Sequence, residues 1–311
     1  MIVVGGEALV DLVPAPSTVR GELGALLPRP GGGPYNTAIA AGRLGAPVTF
    51  LSRVSTDGFG AAIVARLADS RVQLDLLQRG PEPTTLAVVT LADDGSARYT
   101  FYVQGTADRL VTDPGPLPED VTALALGTLS LVLEPGASTY EAVLRRESAR
   151  DRLTVLDPNI RTGLITDPAA YRARFAGWLP DVRVLKVSEE DARWLADVSS
   201  DADVEPVLRD WLAAGVSAVV LTRGGAGLTA YTAKDRVDVP AAPARVVDTI
   251  GAGDTVHGAL LTWLHGKAVR TAADVVALDG SAWSDALGFA ARAAAVTVSR
   301  VGAQPPYAAE L

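Results

Sequence analysis

The run Asp248-Thr249-Ile250-Gly251-Ala252-Gly253-Asp254 stands directly before a stretch of helical periodicity that begins at Thr255. Gly251 and Gly253 let a backbone turn tightly and point successive N–H groups outward. The helix start behind them adds unpaired donors and the positive end of a macrodipole, which together make an anion cradle suited to phosphate. Asp254 then has two readings. It is an N-cap for the helix, or a base that takes the proton from a hydroxyl attacking a phosphoryl group. A second Gly-rich segment, Gly31-Gly32-Gly33-Pro34-Tyr35-Asn36-Thr37-Ala38, also stands at a helix start. Its glycines admit close approach of a small ligand, and Asn36 offers a donor and an acceptor to a hydroxyl. The plainer reading is a Gly-Pro turn with Asn36 turned inward on a satisfied bond.

Other nucleotide and hydrolase signatures are missing. No G-x-x-x-x-G-K-[ST], G-x-S-x-G or H-E-x-x-H occurs, and Val256 stands where a third glycine would complete G-x-G-x-x-G. The chain has no cysteine and only two histidines, His257 and His265, which excludes disulfides, thiolate catalysis and Cys-ligated metal centres. A formal net charge of −8 and only three lysines argue against a nucleic-acid backbone binder, which needs a basic face. The longest apolar stretch, around Val121–Leu133, is shorter than the roughly 18 residues a membrane span needs. The N-terminus lacks the basic start of a signal peptide, so a cytoplasmic protein with no membrane partner is expected.

These residues need a scaffold, and the remaining pattern supplies one. Short apolar runs at Ile2–Gly5, Val48–Leu51, Ala123–Leu126, Leu153–Leu156, Val184–Val187 and Ala218–Leu221 read as strands buried on both faces, as in a parallel sheet. Helix-length segments alternate with them: Tyr35–Leu44, Gly60–Ala68, Tyr140–Ala149, Tyr171–Trp178, Glu189–Ala196 and Val204–Ala214. Ala-rich helices follow at Thr255–Leu264 and Trp283–Val298. The alternation predicts an α/β sandwich. Two stretches break it: residues 8–20, and a hairpin of Thr85–Leu91 and Arg98–Val103 about the turn Asp93-Asp94-Gly95. They suggest a small second layer, either a lid that excludes water from a ligand or a solvated excursion.

Together, the two Gly-rich segments resemble the G-G-x-P-x-N-x-A and D-T-x-G-A-G-D signatures of the PfkB (ribokinase-like) carbohydrate kinases, in the family's order and separation. The resemblance runs from Glu7 and Asp11 to the Arg300–Ala303 tail. It implies one kinase domain over residues 1–311: a three-layer α/β sandwich with a mostly parallel central sheet and a small β-sheet lid from segments 8–30 and 85–106. The implied reaction is transfer of the γ-phosphoryl group of ATP, with Mg²⁺, to a sugar hydroxyl. Asp254 falls on the family's catalytic base and Gly251, Ala252 and Gly253 on its anion hole. Asp11, Gly32, Gly33 and Asn36 fall on the sugar site, and of the lid aromatics Tyr99, Phe101 and Tyr102, only part of which an alternating strand turns inward, Tyr102 is the expected sugar contact.

Thr222, Gly224 and Gly227 resemble the nucleotide segment T-x-G-x-x-G. Lys186, Ser188 and Asp191 fall on the element linked to phosphate and magnesium, where the family shows N-x-x-E. Ser188 and Asp191 depart from that pattern, and Ser188 also reads as a helix N-cap. Asp248 lies where several members bind a monovalent cation such as potassium. Arg161, in Asp157-Pro158-Asn159-Ile160-Arg161, matches an Asp-x-Asn-x-Arg element of the fructokinase and 2-keto-3-deoxygluconate kinase branches, where it would bind transferred phosphate or a sugar carboxylate; pairing with Asp157 or another carboxylate is its plainer reading. The expected substrate is free fructose. 2-Keto-3-deoxygluconate, another sugar or a nucleoside, and a non-catalytic sugar- or nucleotide-binding regulator, remain the alternatives. Lid pairing between two subunits, as in many family members, would make a homodimer.

Overall fold

The computed structural model describes residues 1–15, 24–91 and 97–311; the turn at Asp93-Asp94-Gly95 lies outside them. The N-terminal half runs β1 (Ile2–Gly5), β2 (Leu9–Pro14), β3 (Leu26–Gly31), α1 (Gly33–Arg43), β4 (Val48–Ser55), α2 (Gly58–Asp69), β5 (Leu77–Gly80), β6 (Leu86–Leu91) and β7 (Ala97–Tyr102). It continues through β8 (Ala123–Gly127), α3 (Gly136–Ala149), β9 (Leu153–Asp157) and α4 (Pro168–Trp178) to β10 (Val184–Ser188). Then come α5 (Glu189–Ala196), α6 (Glu205–Ala213), β11 (Ala218–Thr222), β12 (Leu228–Thr232), β13 (Arg236–Val239), α7 (Ala252–Gly266), α8 (Ala272–Ala277) and α9 (Gly280–Val298).

Among the described residues, nine strands form one sheet in the order β13-β12-β11-β10-β9-β8-β1-β4-β5. Neighbours from β11 to β5 pair in parallel, while β12 and β13 are antiparallel. Strand alternation divides the core in two. Ile2, Val4, Ala123, Ala125, Ala218 and Val220 face the layer of α1, α2, α7, α8 and α9. Val3, Leu124, Leu126, Val219 and Leu221 face α3 to α6. Every residue of β1, β8 and β9 is buried, as strands covered on both faces must be. The result is the three-layer α/β sandwich with a mostly parallel central sheet.

The chain leaves β1 toward β4 and β5, then returns to β8 and builds the sheet in the opposite direction. Such a reversal opens a crevice beyond the carboxyl ends of the strands, where α/β sheets place their ligands. The second sheet, in the order β3-β2-β6-β7, stands over that crevice as the small β layer. The expected lid segment 8–30 takes in most of β3, but Pro28 and Pro30 hide its strand character, since proline demotes a run to an edge strand; among the described residues β3 is an edge that pairs with β2 alone. The edge strand β13, Arg236-Val237-Asp238-Val239, was likewise too short and too charged to read as a buried run.

Two helices bring the two Gly-rich segments together. A Cβ on Gly258 of α7 would lie 2.6 Å from Ala40 Cβ and 2.7 Å from the Thr37 carbonyl oxygen, so α1 and α7 touch backbone to backbone. Helix propensity alone would make Gly258→Ala stabilising by about 1 kcal/mol. The clash with rigid backbone reverses the sign, and a loss of about 1–3 kcal/mol is expected. Urea denaturation checks this, and a midpoint at or above wild type contradicts the packing described.

Candidate active site

Gly251 caps α7 in the left-handed region (φ +76°) and, as glycine, offers no side chain to bond the first-turn N–H groups. The N-cap is therefore Gly251, and Asp254 sits three residues further, in the first turn, so the capping reading of Asp254 does not hold. Asn36 Nδ2 instead donates to Asp254 Oδ2 at 2.8 Å, joining the two Gly-rich segments across the molecule. Burial pushes the Asp254 carboxyl up to about 6, against the Asn36 hydrogen bond and the Lys186 charge, which both draw it down. A buried carboxylate with a pKa near its working pH is matched to taking a proton from an alcohol.

Facing Asp254 is a cleft of about 300 Å³ at the carboxyl end of β1. Asp11 enters it from the lid strand β2. Burial moves its carboxyl up to about 6, with Arg161 lowering it and Asp254 raising it. Gly32 must be glycine: its φ is +113°, and a Cβ there would meet the Glu7 carbonyl oxygen at 2.7 Å. Gly33 N–H in turn donates to Glu7 Oε1 at 3.2 Å. Glu7 also accepts from Thr128 Oγ1 and from Ser130 N–H, and burial pushes its carboxyl up to about 7. It is an organiser of the cleft floor whose signal in the sequence is a charged residue two positions after a buried strand.

The lid aromatics need a correction. In β7, Tyr99 and Phe101 share one face, stack at 6.0 Å and line the cleft, whereas Tyr102 points the other way and is 61% exposed. Strand alternation permits only one of these sets to face inward. Arg161 lines the cleft beside Asn159, whose Oδ1 accepts from Arg161 Nη1 at 2.8 Å. The pairing with Asp157 does not form, because Asp157 Oδ2 is taken by Lys186 Nζ at 2.6 Å, both side chains being buried.

A second cavity, about 510 Å³ and mostly apolar, lies on the far side of the α7 turn. Thr222, Gly224 and Gly227 form one wall, and Val256, Ala291 and Ala295 of α7 and α9 the other. Thr249 and Gly253 border both cavities, so the anion cradle lies where they meet. A polar pocket and an apolar slot joined at an anion cradle suit an acceptor alcohol and a nucleotide that meet at a phosphoryl group.

The remaining expected residues sit around this junction. Lys186 Nζ lies 3.2 Å from where a Gly253 Cβ would stand, directly under the α7 turn. His257 Nδ1 lies 3.8 Å from Asp157 Oδ2, and burial pushes the imidazole down to about 3, so it is neutral. Ser188 caps α5 by accepting from Asp191 N–H at 3.0 Å. Asp191 accepts from Ser188 Oγ at 2.7 Å and from Ile160 N–H at 3.0 Å, pinning the loop that carries Arg161. Neither Ser188 nor Asp191 borders the two cavities. Asp248 accepts from Ile250 N–H and Gly302 N–H, tying the cradle to the tail. Arg223 turns away to pair with Asp238.

The family model described as "pfkB family carbohydrate kinase" matches residues 1–310. A fructokinase of Rhizobium leguminosarum bv. trifolii is 39% identical over 284 residues, covering 91% of this chain and 85% of the relative. Fructokinase-1 of Oryza sativa subsp. japonica is 31% identical over 318 residues, 100% of this chain and 95% of that one. Among solved structures, fructokinase from Xylella fastidiosa with bound ATP superposes with a TM-score of 0.87 at 27% identity, covering 97% and 93% of the two chains. Fructokinase from Vibrio cholerae O395 bound to fructose, ADP and a calcium ion gives 0.81 at 26%, covering 97% and 94%.

A base at Asp254 works only as the carboxylate, so on that expectation activity should fall as pH drops through about 6. Asn36→Leu removes a hydrogen bond that favours the ionised carboxylate, so the acidic limb of kcat/KM moves to higher pH. A limb that stays in place would mean that another group, such as Asp11, sets it.

Proposed function

The chain belongs to the pfkB family of carbohydrate kinases, and on that premise we propose that it transfers the γ-phosphoryl group of ATP to a hydroxyl of free fructose. The observation that carries this reading is the buried Asp254 carboxylate in the first turn of α7, held by Asn36 where the two cavities meet. The fructokinase relatives supply the substrate.

In this reading the sugar lies between Asp11, Asn36, Arg161 and the Tyr99–Phe101 face. Its hydroxyls bond to Asp11 and Asn36, and the apolar lid face keeps water out. Asp254 accepts the proton of the attacking hydroxyl. The new O–P bond forms as the bond between the γ-phosphorus and its bridging oxygen breaks, and ADP leaves with that oxygen. N–H groups of Gly251 and Gly253 stabilise the charge on the equatorial oxygens, joined by Ala252 N–H once it leaves the Thr249 carbonyl oxygen to which it donates at 3.2 Å, and positioning accounts for most of the remaining rate. Thr222, Gly224 and Gly227 border the nucleotide, and Lys186 places a positive charge beneath the transferring group.

Magnesium would neutralise the nucleotide phosphates. Among the described residues no group of three acidic or histidine side chains could hold a metal, and both Asp191 oxygens are engaged. The ion would be a hydrated one held mainly by the nucleotide whose charge it offsets; Asp191, the expected water-mediated contact, borders neither cavity. Potassium beside Asp248, between the cradle and the tail, completes the proposed set of ions. Leu26, Leu27 and Tyr102 leave apolar surface exposed on the lid, which supports a homodimer through this layer. No helix among the described residues is long and apolar enough to cross a membrane, and the proposed compartment is the cytoplasm.

ADP release should be measured with Mg²⁺·ATP and K⁺ on fructose, ribose, 2-keto-3-deoxygluconate, adenosine and fructose 6-phosphate. Turnover is expected on fructose, with kcat for Asp254→Ala lower by about 10²–10⁴-fold. Preference for the ketodeoxy acid would replace fructose as substrate and give Arg161 a carboxylate to bind. Full activity in Asp254→Ala would overturn the mechanism.

A further inference from the structure

Nothing in the mechanism so far uses α2, yet this helix reaches both the lid base and the anion cradle. At its start Asp57 accepts from Gly60 N–H at 2.7 Å, and from Thr84 N–H and Thr84 Oγ1 at 2.9 and 2.8 Å, just before β6. At its end Arg66 Nη2 donates to the carbonyl oxygen of Ala303 at 2.6 Å. The Arg66 Nε is buried and makes no hydrogen bond, so the guanidinium is committed to the tail through its outer nitrogen.

Ala303 is not a remote part of the tail. A Cβ placed on Gly251 would lie 2.5 Å from Ala303 Cβ and 3.0 Å from Ala303 Cα. The tail residue therefore packs directly on the left-handed glycine that starts the cradle. One residue earlier, Gly302 N–H donates to Asp248 Oδ2 at 2.7 Å, and Val247 and Asp248 N–H both donate to the Val298 carbonyl. The 248–251 turn is thus pressed between its own helix and a tail whose position Arg66 fixes.

We propose that Arg66 is a positioning residue for phosphoryl transfer: by holding the Ala303 carbonyl it seats the tail against Gly251 and sets the aim of the cradle N–H groups. The inference rests on the kinase reading of the cradle. Donors that stabilise developing charge lose much of their effect when displaced by a fraction of an ångström. Arg66 shares the lining of an adjoining cavity of about 400 Å³ with Asp11 and Asn36, but its hydrogen bond goes to the tail, so losing that contact slows the chemical step more than it weakens sugar binding.

Arg66→Ala and Arg66→Lys should be compared with wild type in steady-state kinetics and in amide hydrogen exchange read by mass spectrometry. In Arg66→Ala, kcat is expected to fall about tenfold or more, with sugar KM changed by less than about twofold and faster exchange confined to peptides spanning 248–254 and 299–304. Arg66→Lys keeps a donor on a long stem and should recover part of both losses. Unchanged kcat with unchanged exchange at 248–254 overturns the proposal. So does a loss expressed only in sugar KM, or faster exchange throughout the chain with no recovery by lysine. Should wild type turn over none of the sugars tested, the reading of the acceptor fails, and local exchange at 248–254 still decides the role of Arg66.

Discussion

The contact between α1 and α7 is the constraint on which the site depends. Gly258 lets the two helices meet at backbone distance, and that approach brings Asn36 within 2.8 Å of Asp254 although 218 residues separate them in the chain. Neither residue has a local reason to be near the other. The parallel sheet supplies it: α1 follows β1 and β3, α7 follows the antiparallel β12–β13 edge, and both cover the same face. A wider helix crossing would leave a carboxylate and an amide facing two separate halves of a cleft.

Placing ionisable groups here is costly, and the surroundings limit the cost. Raising the Asp254 carboxyl from an ordinary 3.8 to about 6 means that ionising it in the fold lowers stability by about 3 kcal/mol. The sign follows from the direction of the shift: the loss begins as pH rises past the unfolded value and is complete above the folded one. Lys186 and Asp157 neutralise one another beneath the turn, and His257 stays uncharged beside them. A lone cation at that depth would be far more expensive than a pair, since nothing would then offset its desolvation, whereas the partner's attraction offsets much of it.

Much of this was legible in the sequence, for a physical reason. Strands buried on both faces are continuous apolar runs, so β1, β8, β9, β10 and β11 begin where those runs begin. Glycine signatures are legible because Gly32 and Gly251 answer to backbone geometry that other residues do not tolerate. Edge strands were not legible: β3 carries two prolines and β13 alternates charge with valine. Side-chain direction is also hidden where a strand has aromatics on both faces, so the sequence offers Tyr99, Phe101 and Tyr102 alike and does not say which face turns to the cleft. Glu7 is obscured for a different reason, as is the contact that Asp191 makes. Both accept from distant backbone, at Ser130 and Ile160, and no local spacing encodes such bonds.

The two cavities border one another at only two of the described residues, Thr249 and Gly253. The acceptor half is built by the lid and by loops after β1 and β9, the donor half by β11 and by α7 and α9. Substitutions in separate regions with no shared partners combine additively in free energy. Changes that retune one half therefore leave the energetics of the other nearly untouched. A scaffold divided in this way can diversify its acceptors by small steps while its donor chemistry stays fixed.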